Sequence, residues 1–291
     1  MAKLGISERM YLQYLRTKFK TLGLVSPATA GKIAFDLFCT PYPKFKKRKA
    51  PAIFHQAKAI TVTLPDGIQL KGFEWTPQKS IHKTVLIAHG YASFGYKFEQ
   101  YITPLLKMGY RVLIFDAPGH GLSQGKYINI LIYLNALEQI IKTVGPVDHF
   151  IGHSLGGITL AMLAETIPNP EQHKFVLIAP ATKTTTTFNN YFKMMHFNEN
   201  IKAAFLSVLS NRTNHPITHF EADRAIEKYA GPILWVHDAE DQVCPYKDLI
   251  NFQEKAPNNI NFLITKGLGH NKVYKTQAVI DKIMSFLAPE A

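Results

Sequence analysis

From about residue 58 onward, short apolar runs alternate with stretches of helical periodicity. Residues 60–64 (Ile-Thr-Val-Thr-Leu) alternate apolar and polar positions, and residues 68–75 form a second strand-like run. Pro65-Asp66-Gly67 between them is the turn chemistry of a hairpin. Six further runs, at 84–88, 111–115, 147–151, 175–179, 233–236 and 260–264, read as buried strands. Helical patterns lie between most of them. Eight strands, six of them in a β-α-β rhythm, predict an α/β fold: an eight-stranded, mostly parallel sheet with helices on both faces. Ligands of such sheets bind at the carboxyl ends of the strands.

Two segments break the rhythm. In residues 1–50, Tyr11, Leu12, Tyr14, Leu15 and Phe19 recur at helical spacing, as do Ile33, Ala34, Leu37 and Phe38. Pro41, Pro43 and Pro51 then stop regular structure. No strand is evident from Thr182 to Tyr229, where Phe188, Tyr191, Phe192, Met194, Met195 and Phe197 are followed by Phe205, Leu206, Val208 and Leu209. An insertion of this size after a strand end is expected to form a helical lid. The expected organisation is an N-terminal helical extension over 1–57, a core of 58–181 with 230–291, and a lid over 182–229.

A chain of 291 residues with 46% hydrophobic content supports one large domain. Its two cysteines, Cys39 and Cys244, lie far apart and read as free thiols in a reducing compartment. Charged residues interrupt every apolar stretch near the N-terminus, so neither a secretory signal nor a membrane span is expected, and a cytoplasmic location is. The net charge of +12 is uneven: residues 1–50 hold eleven Lys/Arg against two acids. Lys44 to Lys49 is the densest cluster and could attract phosphate-bearing partners. No nucleic-acid-reading motif accompanies it, so no nucleic-acid partner is expected. Tyr11, Leu12, Leu15 and Phe19 opposite Arg9, Arg16, Lys18 and Lys20 would permit weak peripheral contact of residues 1–50 with a membrane. Packing of the same face on the core is the competing reading. Neither cofactor nor metal is expected. The oligomeric state is not legible.

The chemistry concentrates at predicted strand ends. Gly152-His153-Ser154-Leu155-Gly156 lies between a strand and a helical pattern. Its glycines leave room for a turn so tight that the serine takes a strained backbone and projects its oxygen at the start of the helix. A nucleophilic serine needs a base, an acid to orient that base, and donors for the oxyanion. Asp241, in the loop after residues 233–236, is the acid candidate, with Asp238 and Glu240 as competitors. His270, between Gly269 and Asn271 after the last strand, is the base candidate among twelve histidines. His89 and His120 sit beside glycines in loops and read as structural, and His153 precedes the nucleophile and cannot turn to face it. The oxyanion donors expected are the backbone N–H groups of Leu155 and of Tyr91, which follows Gly90 in the loop after 84–88.

His89-Gly90-Tyr91, the stretch from Phe115 to Ser123, Gly152 to Gly156, Asp241-Gln242-Val243 and Gly269-His270 occur in that order. Together they resemble the α/β-hydrolase superfamily, nearest its monoacylglycerol lipase and carboxylesterase branch, over roughly residues 58–288. The resemblance implies Ser154 as nucleophile, Asp241 as acid and His270 as base, with Asp116 and the Gly119–Gly121 loop as support. Asp238 departs from the glycine that branch more often carries. The implied activity is that of a serine hydrolase acting on a small-molecule carboxylic ester. The Phe- and Met-rich insertion suggests an apolar acyl pocket. An acyl-CoA or acyl-carrier thioesterase is the alternative, and a non-catalytic binding protein of the same fold is a third reading.

Overall fold

The computed structural model describes residues 5–41, 49–78 and 83–289. In chain order the elements are α1 (Ile6–Val25), α2 (Pro27–Phe38), β1 (Lys58–Thr63), β2 (Gln69–Trp75), β3 (Lys83–Ala88), α3 (Glu99–Lys107), β4 (Tyr110–Phe115), α4 (Ile130–Val144), β5 (His149–His153), α5 (Leu155–Ala164), β6 (Lys174–Ile178), α6 (Thr184–Met195), α7 (Glu199–Thr213), α8 (Ala222–Ile226), β7 (Ile233–Asp238), α9 (Lys247–Gln253), β8 (Ile260–Thr265), α10 (Gly269–Lys272) and α11 (Gln277–Leu287). Among the described residues the eight strands form one sheet in the order β1-β2-β4-β3-β5-β6-β7-β8. β2 pairs antiparallel with both β1 and β4, and the other pairings are parallel.

The hairpin turn forms as its residues dictate: Gly67, at φ +85°, donates to the Leu64 carbonyl, and Asp66 Oδ1 accepts from the Ile68 N–H. The central strands are buried on both faces, which is why they read as continuous apolar runs. Val85, Ile87, Val112, Ile114, Ile151, Val176 and Val236 share one face with Tyr101, Ile102 and Leu105 of α3 and Val279, Ile280 and Ile283 of α11. α5 packs on β3, β5 and β6, and Trp235 of β7 meets Phe252 of α9. Each fully buried aliphatic or aromatic side chain contributes about 1.5–3 kcal/mol.

The chain packs as two compact units, Pro41–Thr182 with Ala222–Ala291, and Met1–Thr40 with Lys183–Glu221. These bounds differ from the sequence expectation at both ends. Phe54, expected in the N-terminal extension, belongs to the sheet unit. It sits in the cluster with Trp75, Phe73 and Tyr96, and Trp75 Nε1 donates to the Ile53 carbonyl. Residues 222–229, expected in the lid, also belong there, because α8 packs on α5.

The other unit is a small helical body. α1 and α2 pack with α6 and α7, and Phe188, Phe192, Met195, Phe197 and Phe205 of the insertion are buried in its core. Phe35, Phe188 and Phe192 all lie within 5.1 Å of the Phe205 ring, and Phe19 meets Phe197 at the same distance. The buried members of the Phe/Met stripe thus pack inside this unit, while Met194 is exposed. α2 and α7 approach closely at Gly31, where a Cβ would lie 2.5 Å from the Ala204 Cβ and 2.7 Å from backbone atoms. The α1 face carrying Phe19 is likewise turned inward within this unit, so it is not the face available to a membrane. Lys44 to Arg48 lie outside the described residues. Among the described residues no helix is long and apolar enough to cross a membrane.

Candidate active site

The strand order reverses between β3 and β5. Their following loops lead to α3 and α5, and at such a reversal a parallel sheet ordinarily opens a crevice at its carboxyl edge. β5 runs two residues further than the sequence suggested, to His153, and delivers Ser154 at this edge. Ser154 has φ 55° and ψ −117°, a strained conformation for a residue with a side chain. It is held by its N–H donating to the Ile178 carbonyl and by its carbonyl accepting from Ile158. The two flanking glycines are required sterically. A Cβ at Gly156 would sit 2.2 Å from the Ala88 carbonyl oxygen, and one at Gly152 would sit 2.8 Å from the Gly156 oxygen. Leu155 opens α5, where the N–H groups have no partner within the helix.

His270 and Asp241 arrive from the ends of β8 and β7. The Ser154 hydroxyl lies 3.0 Å from His270 Nε2, and His270 Nδ1 lies 2.7 Å from Asp241 Oδ2. Nδ1–H donating to the carboxylate leaves Nε2 as the acceptor for the hydroxyl proton. Asp241 is buried, and its other oxygen accepts from the N–H groups of Val243 and Cys244 at 2.8 and 2.9 Å. Both competitors are elsewhere. Glu240 is exposed, and the Asp238 carboxylate is taken up by other partners.

Those partners are a feature the sequence did not disclose. Asp238 Oδ1 accepts from the Glu240 N–H at 3.0 Å, and Oδ2 accepts from the Thr265 hydroxyl at 2.7 Å and the Leu268 N–H at 3.0 Å. Burial by itself would raise its pKa, but these donors outweigh burial and hold it below the ordinary carboxylate value. Asp238 thus ties the loop bearing Asp241 to the loop bearing His270. His153 is a second such residue. Its Nε2–H donates to the His270 carbonyl at 3.0 Å, and its ring packs on Tyr274 at 4.2 Å. Burial lowers its pKa well below the usual value and keeps it neutral. Its position beside the nucleophile hid this role, because the contact is to backbone 117 residues away.

The loop after β3 is braced by the two histidines read as structural. His89 Nδ1–H donates to the Gly90 carbonyl at 2.8 Å while Nε2 accepts from the Ala117 N–H at 2.9 Å. The Gly90 carbonyl and the Tyr91 N–H belong to one planar peptide, so fixing the first fixes the direction of the second. His120 Nδ1–H donates to Pro118, and Nε2 accepts from the Ala92 N–H at 3.2 Å. Burial pushes both imidazoles down to about 4. Asp116 accepts from Gly95 and Leu122, and burial raises its pKa. Gly90 lies against the nucleophile, where its Cβ would be 3.0 Å from that of Ser154. The Cys244 thiol also lies against the Ser154 hydroxyl, and burial pushes its pKa up, so it stays protonated.

The fold agrees with that of known proteins. The family model described as serine aminopeptidase, S33, matches residues 79–222. The esterase Pf2001 of Pyrococcus furiosus superimposes with a TM-score of 0.62 over 85% of this chain and 98% of that one, at 22% identity. The chain has the fold of the α/β-hydrolases. A serine hydrolase-like protein of Dictyostelium discoideum is 27% identical over 206 residues, which cover 62% of this chain and 55% of that protein. Human alpha/beta hydrolase domain-containing protein 17C is 23% identical over 71% of this chain and 58% of its own length. The chain thus spans somewhat over half the length of those two relatives. A putative esterase/lipase of Mycoplasma pneumoniae is 23% identical over 74% of this chain and 92% of its own length.

Proposed function

We propose that this protein is a serine hydrolase of the α/β-hydrolase superfamily that cleaves carboxylic esters through an acyl-enzyme. The observation that carries the reading is the chain of hydrogen bonds from the Ser154 hydroxyl through His270 to the buried Asp241. In this reading Ser154 Oγ attacks the ester carbonyl as His270 Nε2 takes its proton. Asp241 holds the ring in the required tautomer and stabilises the imidazolium that forms. The negative charge on the carbonyl oxygen is met by the N–H groups of Leu155 and Tyr91, each worth about 10²–10³ in rate. Collapse of the tetrahedral species breaks the ester C–O bond, and His270 returns the proton to the departing alkoxide. Water, deprotonated by the same imidazole, then releases the acid and regenerates Ser154.

The test is turnover of p-nitrophenyl esters of graded chain length, with Ser154→Ala in parallel. Removal of the nucleophile is expected to lower kcat by at least about 10³. Acyl-CoA and aminoacyl anilide substrates serve as the competing arms. Turnover of either in preference to all esters would move the assignment to a thioesterase or a peptidase. Absence of turnover, with Ser154 unreactive toward a fluorophosphonate, would remove the catalytic reading altogether.

A further inference from the structure

We infer that the outward face of α1 is a docking surface for an anionic lipid bilayer. The helix has 20 residues, about 30 Å in length. One side, carrying Phe19 and Gly23 with Leu12, Leu15 and Leu22, is turned inward. Globular helices ordinarily place polar residues on the other side. This one does not. Ile6, Met10, Tyr14, Leu24 and Val25 are 59–81% exposed. At about 100° per residue they fall, with Thr17 and Thr21, within about 100° of arc along the whole helix.

The flanks of this stripe are cationic. Lys18 and Lys20, both exposed, lie about 80° to either side of its midline. The one acid in α1, Glu8, points to the opposite side and accepts from the Gly5 N–H. An apolar stripe with lysines on both edges and no acid among them is the pattern of a helix that lies in the plane of a lipid interface. The apolar side chains enter the headgroup–acyl boundary, and the lysines, whose stems reach past it, meet anionic headgroups. The excess of base in residues 1–50 adds attraction of the same sign. The surface is independent of the ester chemistry proposed above, because none of its residues belongs to the Ser154 site.

The experiment uses the full chain and vesicles of phosphatidylcholine with and without about one third phosphatidylserine. The intact protein is expected to co-sediment with the anionic vesicles, to leave them at about 0.5 M salt, and to ignore the neutral ones. The double variant Met10→Asp, Tyr14→Asp alters exposed positions only, so its thermal midpoint and its reactivity at Ser154 should be unchanged. Its vesicle partition is expected to fall at least tenfold. Lys18→Glu with Lys20→Glu is expected to lose roughly ten- to thirtyfold, and only on anionic vesicles. Failure of the intact chain to sediment, or equal sedimentation of the aspartate variant, would overturn the inference. So would a dimer in solution that the aspartate variant dissociates without any vesicle binding, since the stripe would then belong to a second copy.

Discussion

Asp238 accepts hydrogen bonds from the loop that carries Asp241 and from the loop that carries His270. Replacing it with alanine strips the Thr265 hydroxyl and the Leu268 and Glu240 N–H groups of their acceptor. Each such loss in a buried setting costs about 1–3 kcal/mol. The His270 loop, which already bends at Gly267 and Gly269 with positive φ, should then sample conformations in which Nε2 is out of reach of Ser154. The expected result is a fall in kcat of about 10–100-fold with little change in KM, and a lower thermal midpoint. Asp238→Asn keeps one acceptor oxygen and should fall between parent and alanine in both measures. An alanine variant that loses stability but keeps full kcat would reduce Asp238 to a structural role.

At the scale of elements, the helical unit depends on the close approach of α2 and α7 at Gly31. Even a methyl group there meets the Ala204 Cβ and backbone atoms of α7 below 3 Å. Backbone cannot yield as a flexible side-chain end can, so the two helices must move apart and the Phe35, Phe38, Phe188 and Phe205 cluster must loosen. Gly31→Leu is expected to destabilise this unit by about 1–3 kcal/mol or more, read as a lowered denaturant midpoint. The Ser154 site belongs to the other unit, so fluorophosphonate labelling at a temperature below the transition should persist. A glycine chosen for helix–helix spacing looks, in sequence, like a weak point in a helix, and only the facing Ala204 explains it.

For the whole molecule, acid should be destructive. His89, His120 and His149 are buried and neutral, with pKa values pushed down by burial to about 4. In the unfolded chain they titrate near 6.5, so between about pH 6.5 and 4 the unfolded state binds more protons than the folded one. Stability therefore falls as pH drops through this window, by up to about 3 kcal/mol for each group. Three such groups together approach the full stability of an ordinary domain. Thermal midpoints measured from pH 8 to 4 should stay level down to about 6.5 and then decline steeply. Asp238, whose pKa is lowered, adds to the loss only below the ordinary carboxylate range. His89→Gln keeps a neutral donor and acceptor and is expected to flatten the decline.

The sheet, its hairpin and the Gly152–Gly156 turn were legible in the sequence because each depends on local chemistry. Buried parallel strands must be apolar on both faces, and a turn that tight admits only glycine at its edges. The order of Ser154, Asp241 and His270 was legible too, since strand-end loops converge on one edge once the fold class is set. What tertiary structure alone decided was pairing across distance. That the aromatic stripe of the insertion packs with α1 and α2, that Phe54 joins the sheet unit, and that Asp238 and His153 brace His270 all depend on partners tens to hundreds of residues away. Hydrophobicity marks a residue for burial without naming what buries it, and a carboxylate at a strand end does not reveal which of several backbone donors will reach it.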